Sequence, residues 1–266
     1  MPIALVTGPG SGIGRATALE LAIEGYHVVA AGRSPERIEL VIGAIERSGG
    51  TAEFLGLDLS SLASVRSAVA RFLDSGRNLD VLVNNAGIGI NRRGLTDDGF
   101  EVHFGINHLG HHLLTTGLSA AFHPGTRVVS LASAVHFRAR GIDFDAVRRP
   151  IRGIGYDAYA VSKLANVLFI RELGRRHPEW DSYAVHPGLV DTPLIPRWVR
   201  LFTRSSMLTP EQGADTVVWC ATSDEASGQT GHYYQRRQVT TPSLPAQDDQ
   251  LALQLWERSE QWCLQP

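Results

Sequence analysis

Lysine is nearly missing from this 266-residue chain: of its 25 basic residues, only Lys163 is not an arginine. A lone lysine in such a background marks a position where a compact ammonium serves and a planar guanidinium does not, with chance survival as the plain alternative. Cysteine is almost as scarce. Cys220 and Cys263 lie far apart and form no Cys-x-x-Cys pair, which excludes a disulfide scaffold and a cysteine zinc site and fits a reducing compartment. Neither sign of charge is in excess. Twenty-five basic against 27 acidic residues give a formal net charge of −2, so no basic field draws the chain to nucleic acid. Long apolar runs are absent as well. Val102 to Thr126 carries no Asp, Glu, Lys or Arg, but its five histidines, its asparagine and its glycines do not suit hydrocarbon. The N-terminus has no basic n-region, and Ile3 to Val6 is too short for a signal h-region. A soluble, cytoplasmic protein with no integral membrane anchor is expected.

What is present is an ordinary globular composition: 43% hydrophobic residues are enough for a sizeable core and argue against a disordered or fibrous chain. Short apolar runs alternate with segments of helical periodicity. Strands are expected at Ile3 to Val6, His27 to Ala31, Ala52 to Leu57, Leu79 to Val83, Arg127 to Leu131, Ser182 to Val185 and His232 to Tyr234. Helices are expected from about Ile13 to Glu24, from Ser34-Pro35 onward, and over Ser61 to Leu73, Thr96 to Phe122, Tyr156 to Arg175 and Ala246 to Trp262. Strands apolar on both faces and spaced by helices are the pattern of a parallel sheet covered on both sides. The expectation is one doubly wound α/β (Rossmann) domain over residues 1–240, with about seven parallel strands and helices on both faces. A Pro-rich connection, Thr241 to Pro245, leads to a C-terminal helical appendage over 241–266.

Thr7-Gly8-Pro9-Gly10-Ser11-Gly12-Ile13-Gly14 lies between the first strand and the first helix. A pyrophosphate needs backbone without a Cβ in the way and a helix N-terminus whose N–H groups point at it. Glycines at 8, 12 and 14 supply the turn, the close approach and the close packing, and the strand–turn–helix context points to a dinucleotide. The second strand ends in Ala30-Ala31-Gly32-Arg33, without the acidic residue that binds a ribose 2′-hydroxyl. An arginine there can pair with a 2′-phosphate, so NADP(H) is expected in preference to NAD(H). Ser11 leaves the glycine loop without a second basic residue.

Tyr159 and Lys163 stand four apart in Tyr-Ala-Val-Ser-Lys, on one face of a helix. An ammonium beside a phenol favours the phenolate and lowers a pKa that is otherwise near 10, and lysine can also donate to a cofactor ribose. The pair contains the chain's only lysine.

Three further segments complete a pattern. Asn84-Asn85-Ala86-Gly87 follows the fourth strand, Ser133 closes the fifth in Val128-Val129-Ser130-Leu131-Ala132-Ser133, and Asn107 lies in Asn-His-Leu-Gly-His. Pro187-Gly188-Leu189-Val190-Asp191-Thr192 follows the sixth strand. With these motifs in order from Ile3 to about Tyr234, the sequence resembles the short-chain dehydrogenase/reductase family. The resemblance implies a catalytic tetrad of Asn107, Ser133, Tyr159 and Lys163, with Ser130 as the rival serine. Tyr159 would exchange a proton with the substrate oxygen, Ser133 would hydrogen-bond that oxygen, and Lys163 would lower the tyrosine pKa and hold the ribose. Asn107 would bend its helix and order a water. It further implies cofactor contacts from Gly8, Ser11, Gly12, Ile13, Gly14, Arg33, Asp58, Leu59, Asn85, Ala86, Gly87, Tyr159, Lys163, Pro187, Gly188, Val190 and Thr192.

About 25 residues separate Ser133 from Tyr159, and the insertion reads His136-Phe137 … Gly141-Ile142-Asp143-Phe144-Asp145. With Leu255-Trp256-Glu257-Arg258-Ser259-Glu260 it resembles the retinol-dehydrogenase-like branch, whose members act on apolar aldehydes, ketones and alcohols. No counterpart to the N-terminal anchor of that branch is expected here. His103, His108, His111 and His112 invite a metal reading, but a metal site wants carboxylate or cysteine company and an open position, and the same stretch resembles a motif of the family that holds no metal, so no metal is expected. Residues 193–208 are apolar with Arg197, Arg200 and Arg204 at helical spacing, which suits a substrate lid. A membrane-surface helix or plain core packing are the alternatives. The expected function is NADP(H)-dependent hydride transfer to or from an apolar ketone, aldehyde or quinone-like substrate. A non-catalytic NADP(H)-binding redox sensor is the competing class, and an epimerase or dehydratase is a third. The family also implies a homodimer or homotetramer through the helices of Asn107 and Tyr159.

Overall fold

The computed structural model describes residues 1–151, 155–191 and 207–264. Strands β1 (Ile3–Thr7), β2 (His27–Gly32), β3 (Thr51–Gly56), β4 (Val81–Asn84), β5 (Arg127–Leu131), β6 (Asp181–His186), β7 (His232–Gln235) and β8 (Gln238–Val239) form one sheet in the order β3-β2-β1-β4-β5-β6-β7-β8. All neighbours are parallel except β7 and β8. Val6 of β1 faces Ala30 of β2 on one side and Val83 of β4 on the other. Strand order reverses about β1, and the crevice beyond the carboxyl ends of β1 and β4 is where such sheets bind ligands.

Helices α1 (Gly12–Ile23) and α2 (Pro35–Arg47) follow β1 and β2, and α3 (Leu62–Leu73) follows β3. After β4 come α4 (Val102–Phe104), a π-helical turn Gly105–Leu109 and α5 (Gly110–Gly117), running on with helical dihedrals at each junction. Helix α6 (Tyr156–Arg176) precedes β6, and α7 (Pro210–Thr222) and α8 (Asp249–Cys263) complete the described helices. Apolar side chains of α3, α5, α6 and α8 cover one face of the sheet, and those of α1, α2 and α7 cover the other.

The helix expected to start at Thr96 starts six residues later. Gly99 turns the chain at φ +77°, and the Glu101 carboxylate caps the helix by accepting the N–H groups of His103 and Phe104 at 3.0 Å each. The sheet has an eighth strand beyond the seven expected. It is reached through a two-residue turn with Arg236 at φ 53° and Arg237 at φ 59°. Glycine or asparagine normally marks such a turn. Here Arg237 is held instead by its bonds to the Asp215 carboxylate and to the Thr216 hydroxyl.

The C-terminal segment is packed into the main core. Trp256 of α8 stacks on Phe169 of α6 at 5.7 Å, and Trp262 meets Phe100 and Phe104 edge-on at 5.2 and 5.8 Å. Arg66 of α3 donates to the Cys263 carbonyl at 2.6 Å. Helix α8 therefore covers a face of α5 and α6, the helices expected to form a dimer.

Candidate active site

A cleft of about 430 Å³ opens at the carboxyl ends of β1 and β4. Gly8, Ser11, Gly12, Ile13 and Gly14 form its floor, with Arg33, Asp58 and Leu59 beyond β2 and β3 on one side of β1 and Asn85, Ala86 and Gly87 beyond β4 on the other. Tyr159, Lys163 and Pro187 stand in its wall. The glycine turn is built as a phosphate site requires. Gly8 has φ +66°, and Ser11 makes no side-chain bond to the first N–H groups of α1, which face the cleft. These residues fit a dinucleotide.

Two histidine-free layers of backbone are joined beneath that floor by one buried histidine. The Thr7 hydroxyl accepts the N–H groups of Asn85 and Ala86 at 2.9 Å each and lies 2.9 Å from His111 Nε2. His111 Nδ1 is 3.1 Å from the Asn107 carbonyl, a pure acceptor, so Nδ1 carries the proton and Thr7 donates to the bare Nε2. Burial keeps this ring neutral, with a pKa lowered to about 4. The connection ties the glycine loop to the π turn.

Asn107 sits inside that turn, where the regular helical ladder is interrupted, as often happens at functional positions. Its Oδ1 accepts the Ile88 N–H at 2.8 Å, and its Nδ2 donates to the Ile88 carbonyl and to the Ser162 hydroxyl, at 3.3 and 3.0 Å. Ser162 in turn donates to the Tyr159 carbonyl at 2.8 Å. The asparagine thus holds both the loop after β4 and the helix that bears the tyrosine.

Ser133 ends the strand extension beyond β5, and its hydroxyl is near enough to the Tyr159 phenol to pull that pKa down. Ser130 is inside the sheet, paired with Asn84 and Ala184, and its buried hydroxyl has no partner. Geometry therefore sets Ser133, and not Ser130, beside the tyrosine. The Lys163 ammonium donates to the Leu131 carbonyl at 2.7 Å and lies 5.7 Å from the centre of the Tyr159 ring.

The expectation that Lys163 lowers the tyrosine pKa is corrected here. Desolvation dominates, pushing Tyr159 up to about 12 against the opposing Ser133 bond, and the ammonium is not close enough to offset it. Burial also lowers Lys163 to about 8. The arrangement holds a protonated phenol.

Asp58 accepts from the Ser60 N–H and hydroxyl at 2.9 and 2.6 Å, which fixes its carboxylate at the cleft's edge. Gly188 and Val190 flank the cleft without lining it. Val190 bridges to Leu208, and Gly188, at φ +85°, packs against the Leu208 side chain. Thr192 and residues 193–206 of the expected lid lie outside the described residues. The histidines point in separate directions. His103 bonds Glu101 Oε1 at 2.7 Å and the Gly89 carbonyl at 3.1 Å, while His108 bonds the Ser259 hydroxyl at 3.0 Å. His112 has two buried, unpartnered ring nitrogens between Phe169 and Trp256.

Two charged cleft residues escaped the sequence reading. Arg37 joins Arg33 at the end of β2, and Arg92 also lines the cleft. Arg37 was legible in principle: Pro35 starts α2, so residue 37 falls in its first turn, directly over Gly10. Arg92 stands on a loop with no local signal.

The fold and cleft define a doubly wound nucleotide-binding protein with a Tyr–Lys pair at the ligand crevice. Residues 2–200 match the short chain dehydrogenase family model. The chain is 40% identical over 273 residues to human Dehydrogenase/reductase SDR family member 13, covering 97% of this chain and 72% of that one. It is 36% identical to human Retinol dehydrogenase 11, covering 97% and 84% respectively. Among solved structures, a short chain dehydrogenase from Burkholderia cenocepacia J2315 in complex with NADP superposes with a TM-score of 0.73. That chain is 27% identical, with 93% of this chain and 98% of it covered. The chain belongs to the short-chain dehydrogenase/reductase family, and its activity is that of an oxidoreductase using a nicotinamide cofactor.

Proposed function

We propose that this oxidoreductase uses NADP(H) in preference to NAD(H) and acts on the carbonyl or alcohol of an apolar ketone, aldehyde or quinone-like substrate. The observation that carries the reading is the cleft itself. One wall holds Tyr159 and Lys163, and the far end holds Arg33 and Arg37 over the glycine turn. Two guanidiniums suit a 2′-phosphate, and β2 ends in Ala30-Ala31-Gly32 without the acidic residue that would bind a ribose 2′-hydroxyl. The NADP bound by the Burkholderia relative supports the same choice. The apolar specificity of the retinol-dehydrogenase relative favours a greasy substrate.

Bound in the cleft, the nicotinamide supplies or accepts the hydride. Tyr159 donates its phenolic proton to the substrate oxygen in reduction and takes it back in oxidation. Ser133 hydrogen-bonds the same oxygen and stabilises the charge that develops on it. Lys163 holds a ribose hydroxyl while anchored at Leu131, and Asn107 positions α6 through Ser162. A cytoplasmic location and a homodimer or homotetramer are part of the proposal. Self-association would use surface other than the face of α5 and α6 under α8. No helix among the described residues is long and apolar enough to cross a membrane.

The test is absorbance-monitored turnover of NADPH against NADH with apolar aldehydes, ketones and quinones, wild type beside Tyr159→Phe. The expected result is turnover that prefers NADPH and is lost in the variant while nucleotide binding is kept. Tight NADPH binding without turnover of any carbonyl would favour the redox-sensor class, and binding of neither nucleotide would overturn the proposal.

A further inference from the structure

Ser133 and Tyr159 come from separate elements, the end of β5 and the start of α6, and only the rest of the fold keeps them in register. One buried residue connects Ser133 to a distant part of the chain. The Ser133 carbonyl accepts two bonds from His136, one from its backbone N–H at 3.0 Å and one from its ring Nδ1 at 2.7 Å. The opposite ring nitrogen, Nε2, accepts the backbone N–H of Ser243 at 3.1 Å, 107 residues away in sequence. A carbonyl on one side and an N–H on the other permit only the neutral Nδ1–H tautomer. The ring is fully buried, its edge against Tyr233 at 5.0 Å and Phe137 beside it at 4.3 Å.

Ser243 opens the 3-10 turn Leu244–Gln247 that leads into α8. Helix α8 is in turn fixed to α6, the tyrosine helix, by the Trp256–Phe169 stack and by Arg171 donating to Asp249 at 2.7 Å. A closed path therefore runs from Ser133 through His136 and Ser243 to α8, and back through α6 to Tyr159. It is independent of the sheet.

We propose that His136 is a positioning residue: it lets the C-terminal segment set the Ser133 hydroxyl against Tyr159. The inference rests on the reading of Ser133 as the hydroxyl that meets the substrate oxygen. Two conservative variants divide the ring's two bonds. His136→Asn keeps a donor near Nδ1 for Ser133 and loses the acceptor for Ser243. His136→Gln keeps an acceptor near Nε2 for Ser243 and loses the donor to Ser133. If both ends are required, each variant lowers kcat for decanal with NADPH about tenfold, the loss of one well-placed hydrogen bond. KM for NADPH stays unchanged, because no cofactor contact is touched.

Hydrogen exchange gives a readout that needs no substrate. Amides of residues 131–138 exchange faster in both variants, while β1 and β4 keep wild-type protection. An unchanged rate in that segment, or a rise shared equally by the whole sheet, overturns the proposal. So does a kcat equal to wild type in either variant. Ser133→Ala separates the two levels. Full activity in that variant sinks the reading of Ser133, whereas lost activity there with unaffected His136 variants sinks only the positioning role.

Discussion

Gly14→Ala sets two effects of opposite sign against each other. Gly14 lies in the first turn of α1, where alanine is the better helix former by about 1 kcal/mol. Space argues the other way. A Cβ on Gly14 would sit 2.5 Å from the Gly8 carbonyl oxygen and closer still to the Asn85 side-chain amide. The first contact is backbone and cannot swing aside. The second is held by bonds from Asn85 Nδ2 to the carbonyls of Thr7 and Gly8, at 2.8 and 3.3 Å. Relief requires Asn85 to let go, costing about 1–3 kcal/mol, and the turn to shift, costing a similar about 1–3 kcal/mol. Net of the helix gain, the variant is expected to lose about 1–5 kcal/mol, which lowers Tm by about 2–20 °C in a chain of this size. Displacing Gly8 also moves the backbone that meets the pyrophosphate, so NADPH affinity falls at least about tenfold. Thermal melting with and without NADPH, plus titration calorimetry, reads both effects. A variant that melts at or above the wild-type temperature and binds NADPH equally well would refute the packing argument and show that helix propensity decides this position.

Arg37→Ala is expected to raise KM for NADPH by about 10- to 100-fold, the worth of one charge-assisted bond, with little change for NADH. Arg33→Ala should do the same, and steady-state kinetics with both nucleotides checks each. His112→Phe is expected to stabilise the protein by about 1–2 kcal/mol in urea unfolding, because two buried, unpartnered nitrogens are exchanged for ring carbon among Phe169 and Trp256. Acid should act steeply. Burial lowers His111 and His186 to about 4 and His112 to about 3, all below the ordinary value of 6.5. The unfolded chain therefore takes up these protons first. Stability is complete above about pH 6.5 and is lost as pH falls toward about 4, at up to about 4 kcal/mol per pH unit for three groups. Urea midpoints between pH 7 and 5 measure that slope, and His112→Phe should make it shallower by about a third.

The parts of the fold that were legible in sequence are those whose signal is local. β1, β2, β4 and β5 are short β-branched runs buried on both faces, and the glycine turn sits between a strand and a helix as its chemistry demands. Tyr159 and Lys163 fall in one cleft wall, with Ser133 beside the tyrosine, because a strand terminus and a helical spacing of four can be read directly. What escaped depends on partners distant in sequence. The left-handed Arg236 and Arg237 are stabilised by α7 and carry no turn-forming residue of their own. The helix expected from Thr96 yields its first turn to the Glu101 cap. The tyrosine pKa was misjudged because spacing along a helix reports proximity and says nothing of desolvation, which here outweighs the ammonium. Likewise the ring partners of His111 and His136 come from β1 and from the segment before α8, and no periodicity announces them.

Helix α8 also bears on how the chain reaches this state. Phe100, Phe104 and Phe169 cannot be dry until Trp256 and Trp262 arrive, so the core around the tyrosine helix closes only after residues 249–263 have been synthesised. Arg66 waits across 197 positions for its carbonyl at Cys263. Contacts of such long separation are slow to form, and a nascent chain that has completed β1 to β6 exposes this aromatic face in the meantime. The glycine turn and the β1–β2–β4 sheet need none of those residues. A dinucleotide-binding half can thus condense early on the ribosome, while the core around the tyrosine helix stays open until α8 docks.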